Sequence, residues 1–331
     1  MFSRRTIALA AIASVLLTGC SVLSKIAPEP AATNLLSGRE GSNGPVLVVK
    51  IDDTNQAHPQ IGLEDADIVY IEQVEGGLTR LAAVFSSVIP QRIGPVRSAR
   101  ISDIDLLAQF GRVAFAYSGA QRKLLSVIAS ANLQDLGAQR QSPTIFTTDP
   151  TRIQPYAMVL RADLLMEKII KDQYQIASAS SVGFTFGKLQ EGGTPTVGVT
   201  MDWPAATYGA VWSDEESRWL LSHNNTINLA DSGRIVGPTT LVIQMVSITD
   251  SEYKDKVGGV TPFTQTVGSG KAYVLRNGQR FVTTWNRPSL ESGTTFTFAD
   301  GTVMNFDPGQ VWIAFTDREP EFQSPQAATT K

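Results

Sequence analysis

Asp67-Ile68-Val69-Tyr70-Ile71-Glu72 is followed, after Glu75-Gly76-Gly77, by Arg80-Leu81-Ala82-Ala83-Val84-Phe85-Ser86. Both flanking runs are short and rich in β-branched and aromatic residues, so each reads as a strand. The paired glycines supply positive φ without a steric penalty, which makes the connection a tight turn and the strands antiparallel. Directions then follow. The turn puts Glu72, Glu75 and Arg80 at one edge of a sheet. The second strand carries the chain about 20 Å to the opposite edge, at ~3.3 Å per residue. There begins Arg92-Ile93-Gly94-Pro95-Val96-Arg97-Ser98-Ala99-Arg100, three arginines around a Gly-Pro turn signal.

Upstream, Pro45-Val46-Leu47-Val48-Val49-Lys50-Ile51 reads as a buried strand ending in Asp52-Asp53. Run antiparallel to the Asp67–Glu72 strand, it places both aspartates beside the arginine loop, and this is the favoured orientation. Run parallel, it places them beside Glu75. A plain turn-capping role for the aspartates is the alternative to a functional one. Downstream, Ser102 can cap a helix carrying Ile104, Leu107, Ala108 and Gly111 at helical spacing. The strand from Arg112 to Tyr117 then completes a right-handed βαβ unit, which brings Tyr117, Ser118 and Gln121 to the arginine edge. Further helices are expected over 121–131 and 160–174.

Beyond 177 the pattern is almost entirely strands. Asn277-Gly278 and Asp300-Gly301 each sit between alternating runs, and both are type I′ turn signals. The expected class is α+β: an N-terminal mixed α/β sheet domain (45–176), a linker (177–194) and a mainly antiparallel β domain (195–318), with a disordered tail (319–331).

The start of the chain gives an address. Arg4 and Arg5 precede a short apolar run, then Leu17-Thr18-Gly19-Cys20. Residues 1–19 read as a secretory signal too short to span a membrane comfortably, and 20–44 as a flexible tether. Cys20 is the sole cysteine, placed where a lipidated cysteine would begin the mature chain; the alternative is an ordinary cleaved signal. Removing Arg4 and Arg5 leaves 26 of the 28 basic residues against 31 acidic ones, a net charge of −5. That argues against general binding of nucleic acid or anionic lipid.

Arginine forks bind phosphate or carboxylate bidentately, and a helix start near Ser102 would add its positive end. The competing reading is a structural ion-pair network to Asp103, Asp105 or Glu64. Ser98 between arginines has no identifiable base. The two histidines, His58 and His223, fall in different expected domains without ligand spacing, so neither metal nor other cofactor is expected. Trp203, Tyr208, Trp212, Trp219 and Trp285 read mainly as core.

With these pieces in order, the chain resembles the YerB-like bacterial lipoproteins, a family of unknown function. The resemblance rests on Val49-Lys50-Ile51-Asp52-Asp53, Val74-Glu75-Gly76-Gly77-Leu78-Thr79-Arg80, Ile93-Gly94-Pro95-Val96-Arg97-Ser98-Ala99-Arg100 and Asp307-Pro308-Gly309-Gln310-Val311-Trp312-Ile313. It implies an exported lipoprotein with an N-terminal α/β part and a C-terminal β part. Departures occur where the family tends to Asp-Asn (here Asp52-Asp53), to His-Asn (here Ser142-Pro143-Thr144) and to a His-containing glycine segment (here Tyr117-Ser118-Gly119-Ala120-Gln121). The expected function is a protein on the outer face of the cytoplasmic membrane, anchored by lipid at Cys20. It would bind an anionic cell-wall component or an envelope protein through Arg92, Arg97, Arg100 and Ser98. The alternative is a hydrolase or transferase acting on a phosphorylated or glycosidic wall substrate, with Asp52 or Asp53 as acid/base or metal ligand and Arg97 and Arg100 holding the anion, near Tyr117, Ser118 and Gln121.

Overall fold

One mixed eleven-stranded sheet runs through both halves of the chain. The computed structural model describes residues 32–325; the expected signal, Cys20 and the chain after 325 lie outside the described residues. The N-terminal strands are β1 (Leu47–Asp52), β2 (Ile68–Gln73) and β3 (Thr79–Phe85). Across the sheet the order is Thr194–Pro195, Gln279–Arg287, Gly268–Arg276, Thr240–Met245, Val311–Thr316, β2, β3, β1, Val113–Ala116, Leu133–Asp135; Thr295–Thr297 joins Gln279–Arg287 as a branch. The β2–β3 hairpin forms as read, with Gly76 at φ 70° and Gly77 at φ 73°. At Gly77 a side chain is doubly excluded, because a Cβ would lie 2.4 Å from Pro204 Cβ.

Strand alternation sorts the apolar residues into two cores. Leu47, Val49 and Ile51 face a core shared with Val199, Met201, Trp203, Tyr208 and Trp219, and with Leu165 and Ile169 of helix α3 (Ala162–Lys171). The first five of these belong to a second, five-stranded sheet built from Thr226–Ile227, Arg218–His223, Ala206–Ser213, Gly198–Trp203 and Glu321–Gln323. On the opposite face, Val46 and Val48 share a core with Leu106 and Leu107 of helix α1 (Ile101–Leu107) and with Leu124 and Ile128 of helix α2 (Arg122–Ser130).

The α+β class stands, with strands predominating, but several boundaries change. Val311–Thr316 pairs in parallel with β2 on one side (Ile68↔Val311) and with Thr240–Met245 on the other. The two expected domains therefore share a sheet. The expected linker buries Val182 and Phe184. From 32 onward the expected tether is structured: Leu36 and Ser37 are buried, and Ser37 Oγ donates to Asp67 Oδ1 at 2.7 Å. Its polar composition serves internal hydrogen bonds rather than solvation. The expected tail contributes Glu321–Gln323, which pairs with Gly198–Trp203.

Strand β1 pairs antiparallel with β3 (Asp52↔Arg80), so it runs parallel to β2, against the favoured orientation. Asn277 and Gly278 take φ 49° and 68°, as a type I′ turn requires; at the second hairpin signal only Gly301 does, with φ 84°, so Asp300-Gly301 is a different turn. No helix among the described residues is long and apolar enough to cross a membrane.

Candidate functional site

Strand β1 has β3 along one side for its whole length, but Val113–Ala116 covers only Leu47 to Val49 on the other. The arginine loop itself takes the uncovered part. Ile51 bridges Val96, Arg97 N donates to Lys50 O at 2.8 Å, and Asp52 N donates to Pro95 O at 2.9 Å. The loop then runs beside the residues that leave the next strand: Ser118 N donates to Arg97 O and Ala99 N to Gly119 O, each at 2.9 Å. It folds back in this way to the edge that carries Glu75 and Arg80. The expected separation of these two groups across the sheet is thus corrected. Arg92 stays apart, half exposed and 3.4 Å from Asp149 Oδ2.

The result is a cleft of about 600 Å³. Its floor is Arg80, Arg97, Ser98 and Arg100; α2 contributes Gln121 at its entry, Arg122, Leu124 and Leu125; the turn between Ile248–Lys254 and Val260–Thr264 contributes Lys254, Asp255, Lys256 and Val257. Six lining cations (Arg80, Arg97, Arg100, Arg122, Lys254, Lys256) face two lining carboxylates, Glu75 and Asp255. The lining is therefore strongly positive on a chain whose net charge is negative.

Two arginines are neutralised locally. Arg100 donates to Glu75 Oε2 through Nε (2.9 Å) and Nη2 (2.6 Å), and Thr261 Oγ1 donates to Glu75 Oε1. Burial raises the Glu75 pKa, but the Arg100 bonds and charge outweigh it and hold it below the usual range. Arg97 Nε lies 2.6 Å from Asp52 Oδ2, off-axis for a hydrogen bond. Arg80 differs. Among the described residues it makes no ion pair, and its side-chain hydrogen bond runs from Nη1 to Ser98 O at 3.1 Å. Burial, reinforced by the charges of Arg100 and Arg97, lowers its pKa to about 9, against the opposing pull of Asp52 and Glu75. The two carboxylates that pull on it, Asp52 and Glu75, are themselves paired with Arg97 and Arg100.

The other expected residues are divided. Ser98 lines the cleft, with its Oγ 3.4 Å from Ser118 Oγ, and Gln121 Oε1 is buried there without a partner. Tyr117 is buried behind the cleft and donates to Asp135 Oδ1 at 2.8 Å. Ser102 does not cap α1, which starts at Ile101; its Oγ accepts from Thr264 N at 2.9 Å. Instead Asp103 Oδ2 accepts from Arg100 N at 2.6 Å and so meets the start of the helix. Glu72 lies below the cleft, buried with Lys50 Nζ at 2.9 Å, and Lys50 also reaches Asp103 Oδ1 at 2.7 Å. Burial raises the Glu72 pKa; Lys50 opposes this and Asp103 adds to it.

Consecutive aspartates end on opposite sides of the strand. Asp52 faces Arg97, while its Oδ1 accepts from Thr54 N (2.9 Å) and Thr54 Oγ1 (2.6 Å). Asp53 faces the five-stranded sheet: its Oδ1 accepts from Tyr208 OH at 2.7 Å, and its Oδ2 from Thr79 Oγ1 at 2.6 Å. It has three further neighbours, the first being Gln60, whose Nε2 donates to Asp53 Oδ1 at 3.2 Å. His58 Nε2 is 3.3 Å from Asp53 Oδ1, and His223 Nε2 is 3.8 Å from Asp53 Oδ2. The histidines expected in separate domains stack with ring centroids 4.7 Å apart. Ligand atoms of Asp53, His58 and His223 all lie within 4.8 Å of one another. Burial pushes Asp53 up and His58 down, but their mutual bond and charge prevail, leaving Asp53 lowered and His58 raised; His223 is lowered, chiefly by burial. Sequence spacing carries no trace of this cluster, because Asp53 and His58 follow β1 while His223 ends a strand of the five-stranded sheet.

Fold and site together define a class: a mixed-sheet α+β body in which a folded-back arginine loop opens a cationic cleft at the end of a central strand. Two family models match the chain, the N-terminal domain of a protein of unknown function (DUF3048) over residues 32–175 and the C-terminal domain of the same family over 199–313. The chain belongs to this family, the YerB-like proteins. A curated relative, "Putative lipoprotein YerB" of Bacillus subtilis (strain 168), is 50% identical over 56 residues, 17% of this chain and 17% of the relative's own length. The crystal structure of YerB protein from Bacillus subtilis matches with a TM-score of 0.75 at 19% identity, over 88% of this chain and 100% of that one. That likeness concerns the fold.

Proposed function

We propose that this is a lipid-anchored protein of the cell envelope that binds an anionic envelope component, a phosphate- or carboxylate-bearing polymer, in the Arg80–Arg97–Arg100 cleft. The observation that carries the reading is Arg80: a guanidinium in an open cleft, beside two others, with no carboxylate of its own. An incoming anion would supply the missing counterion. Binding is favoured over catalysis because the nearby carboxylates are committed, Asp52 to Arg97 and Thr54, Glu75 to Arg100 and Thr261. Asp53, one of the two alternative carboxylates in the hydrolase or transferase reading, is turned to the opposite face.

The test is a thermal-shift series on the full chain with inorganic phosphate, a glycerol-phosphate polymer and a carboxylate-rich peptide. Charge-assisted bonds contribute about 1.5–3 kcal/mol each, so Arg80→Met should weaken binding about tenfold or more, and Arg97→Ala/Arg100→Ala further. Equal shifts in wild type and Arg80→Met would remove the site. The anchor rests on Leu17-Thr18-Gly19-Cys20 and on the relative's name. Cys20→Ala should move the protein from the membrane fraction to the soluble fraction; unchanged fractionation would defeat the lipid anchor.

A further inference from the structure

We propose that Asp53, His58 and His223 form a binding site for a divalent first-row transition ion of the Zn²⁺ type, clamping the five-stranded sheet to the end of β1. Tautomer and geometry carry it. His58 Nδ1 lies 3.0 Å from Asn228 Oδ1, an acceptor, so Nδ1 holds the hydrogen and the neutral ring presents the Nε2 lone pair. That lone pair faces Asp53 Oδ1 at 3.3 Å. The Gln60 Nε2 amide, 3.2 Å from each of these two acceptors, bridges them here, and a bound ion would take its place.

That amide answers only half of the arrangement. His223 is 4% exposed, its Nε2 has no hydrogen-bond partner, and that atom stands 3.8 Å from the second oxygen of the same carboxylate. One bound ion would satisfy both nitrogens. The separations of 3.3 and 3.8 Å approach the ~3.3 Å between donors around a tetrahedral Zn²⁺ with bonds near 2.0 Å. The rings now lie 14° from parallel, so capture turns the His223 ring about its own bond, and no partner holds its Nε2 back.

The surroundings resemble a ligand-orienting shell. Asn228 fixes the His58 tautomer, and Tyr208 and Thr79 hold the carboxylate. Two nitrogens and one oxygen suit Zn²⁺, Co²⁺ or Ni²⁺ rather than Mg²⁺ or Ca²⁺, which prefer all-oxygen sets. The His58 side chain, 17% exposed, gives an entry path. The sheets are already bridged here, by Gln60 to Ala230 and by Asp231 N donating to Gln60 O at 3.0 Å, so an ion would tighten a formed contact.

The experiment uses untagged full chain carrying Cys20→Ala, which leaves no thiol and only two histidines. After chelator treatment and dialysis against Zn²⁺, elemental analysis should find one Zn²⁺ per chain. Tm should rise ~5 °C at about a hundredfold excess over Kd, with no rise for Mg²⁺. Both imidazole ¹⁵N systems should shift together on addition of Zn²⁺, a readout that needs no further variant. His58→Gln and His223→Gln should each lower retention at least tenfold. Substoichiometric Zn²⁺, unmoved imidazole signals, or equal retention by the variants would each overturn the proposal. So would a His58 that titrates with Asp53 while Zn²⁺ changes nothing, since the cluster would then be a proton-sharing pair.

Discussion

Lys50→Met should destabilise the fold by about 3–5 kcal/mol, the range found when one member of a buried charge cluster is removed, against a typical total of about 5–15 kcal/mol. The Lys50, Glu72 and Asp103 side chains are at most 1% exposed, and one ammonium serves two carboxylates. Neither Glu72 oxygen has an aligned hydrogen bond. Without Lys50 the buried Glu72 carboxyl loses its cation and is favoured neutral inside. The loss therefore depends on pH. In the wild type the Glu72 pKa is raised on folding, so its contribution is complete below the unfolded carboxylate value and is lost as pH rises through the folded one. Removing Lys50 raises that folded value further, so the deficit should be small near pH 5 and grow toward pH 8. Denaturant midpoints at the two pH values measure it. Equal losses at both, or a loss under about 1 kcal/mol, would contradict the account. Because Asp103 also accepts from Arg100 N, the variant should weaken anion binding in the cleft as well.

Asp67→Ala should cost a similar amount, about 3–5 kcal/mol, from buried donors left without an acceptor at about 1–3 kcal/mol each. Its carboxylate accepts from Ser37 Oγ (2.7 Å), Arg39 Nε (3.0 Å), Ser86 N (2.7 Å), Ser87 N (2.8 Å) and Ser87 Oγ (2.6 Å). It joins the 34–39 segment to the end of β3. Asp67→Asn keeps the shape and one acceptor oxygen, so about half the loss is expected. Limited proteolysis gives a second reading: cleavage within 35–43 should accelerate in Asp67→Ala while cutting elsewhere does not. Unchanged cleavage would mean that other contacts hold that segment.

Local chemistry was legible in the sequence; long-range partnership was not. Gly76-Gly77 and Asn277-Gly278 announced their hairpins because positive φ is a property of those residues. The right-handed βαβ unit expected after β3 does not form. Strand β1 pairs antiparallel with β3 and parallel with Val113–Ala116, so those last two strands oppose each other. Tyr117 and Ser118 therefore leave at the Glu75–Arg80 edge, where they meet the arginines only because the loop folds back. Nothing in periodicity tells Val311–Thr316 to pair with β2, since alternation reports faces and not neighbours. The same limit hid the His58–His223 stack. Ser37 and Arg39 were misread because composition does not distinguish polar groups facing water from those meeting a buried carboxylate. At the cleft, residue types pointed to Arg97, Arg100 and Asp52, but the favoured reason was wrong. Asp52 meets Arg97 because the loop returns along β1, not because β1 runs antiparallel to β2.

The position of Val311–Thr316 has a consequence for how the chain matures. This late segment lies at the middle of the sheet, between β2 and Thr240–Met245. Until it arrives, both neighbours present unpaired backbone edges of the kind that recruit foreign strands. A nascent chain therefore cannot close its body as it emerges from the N-terminus onward. It must keep two halves apart yet unaggregated until Val311–Thr316 is free, and a truncation before Val311 would yield a sticky, open-edged product rather than a smaller stable protein. Such late closure of distant contacts also predicts slow folding, and a dependence on whatever shields open edges during synthesis.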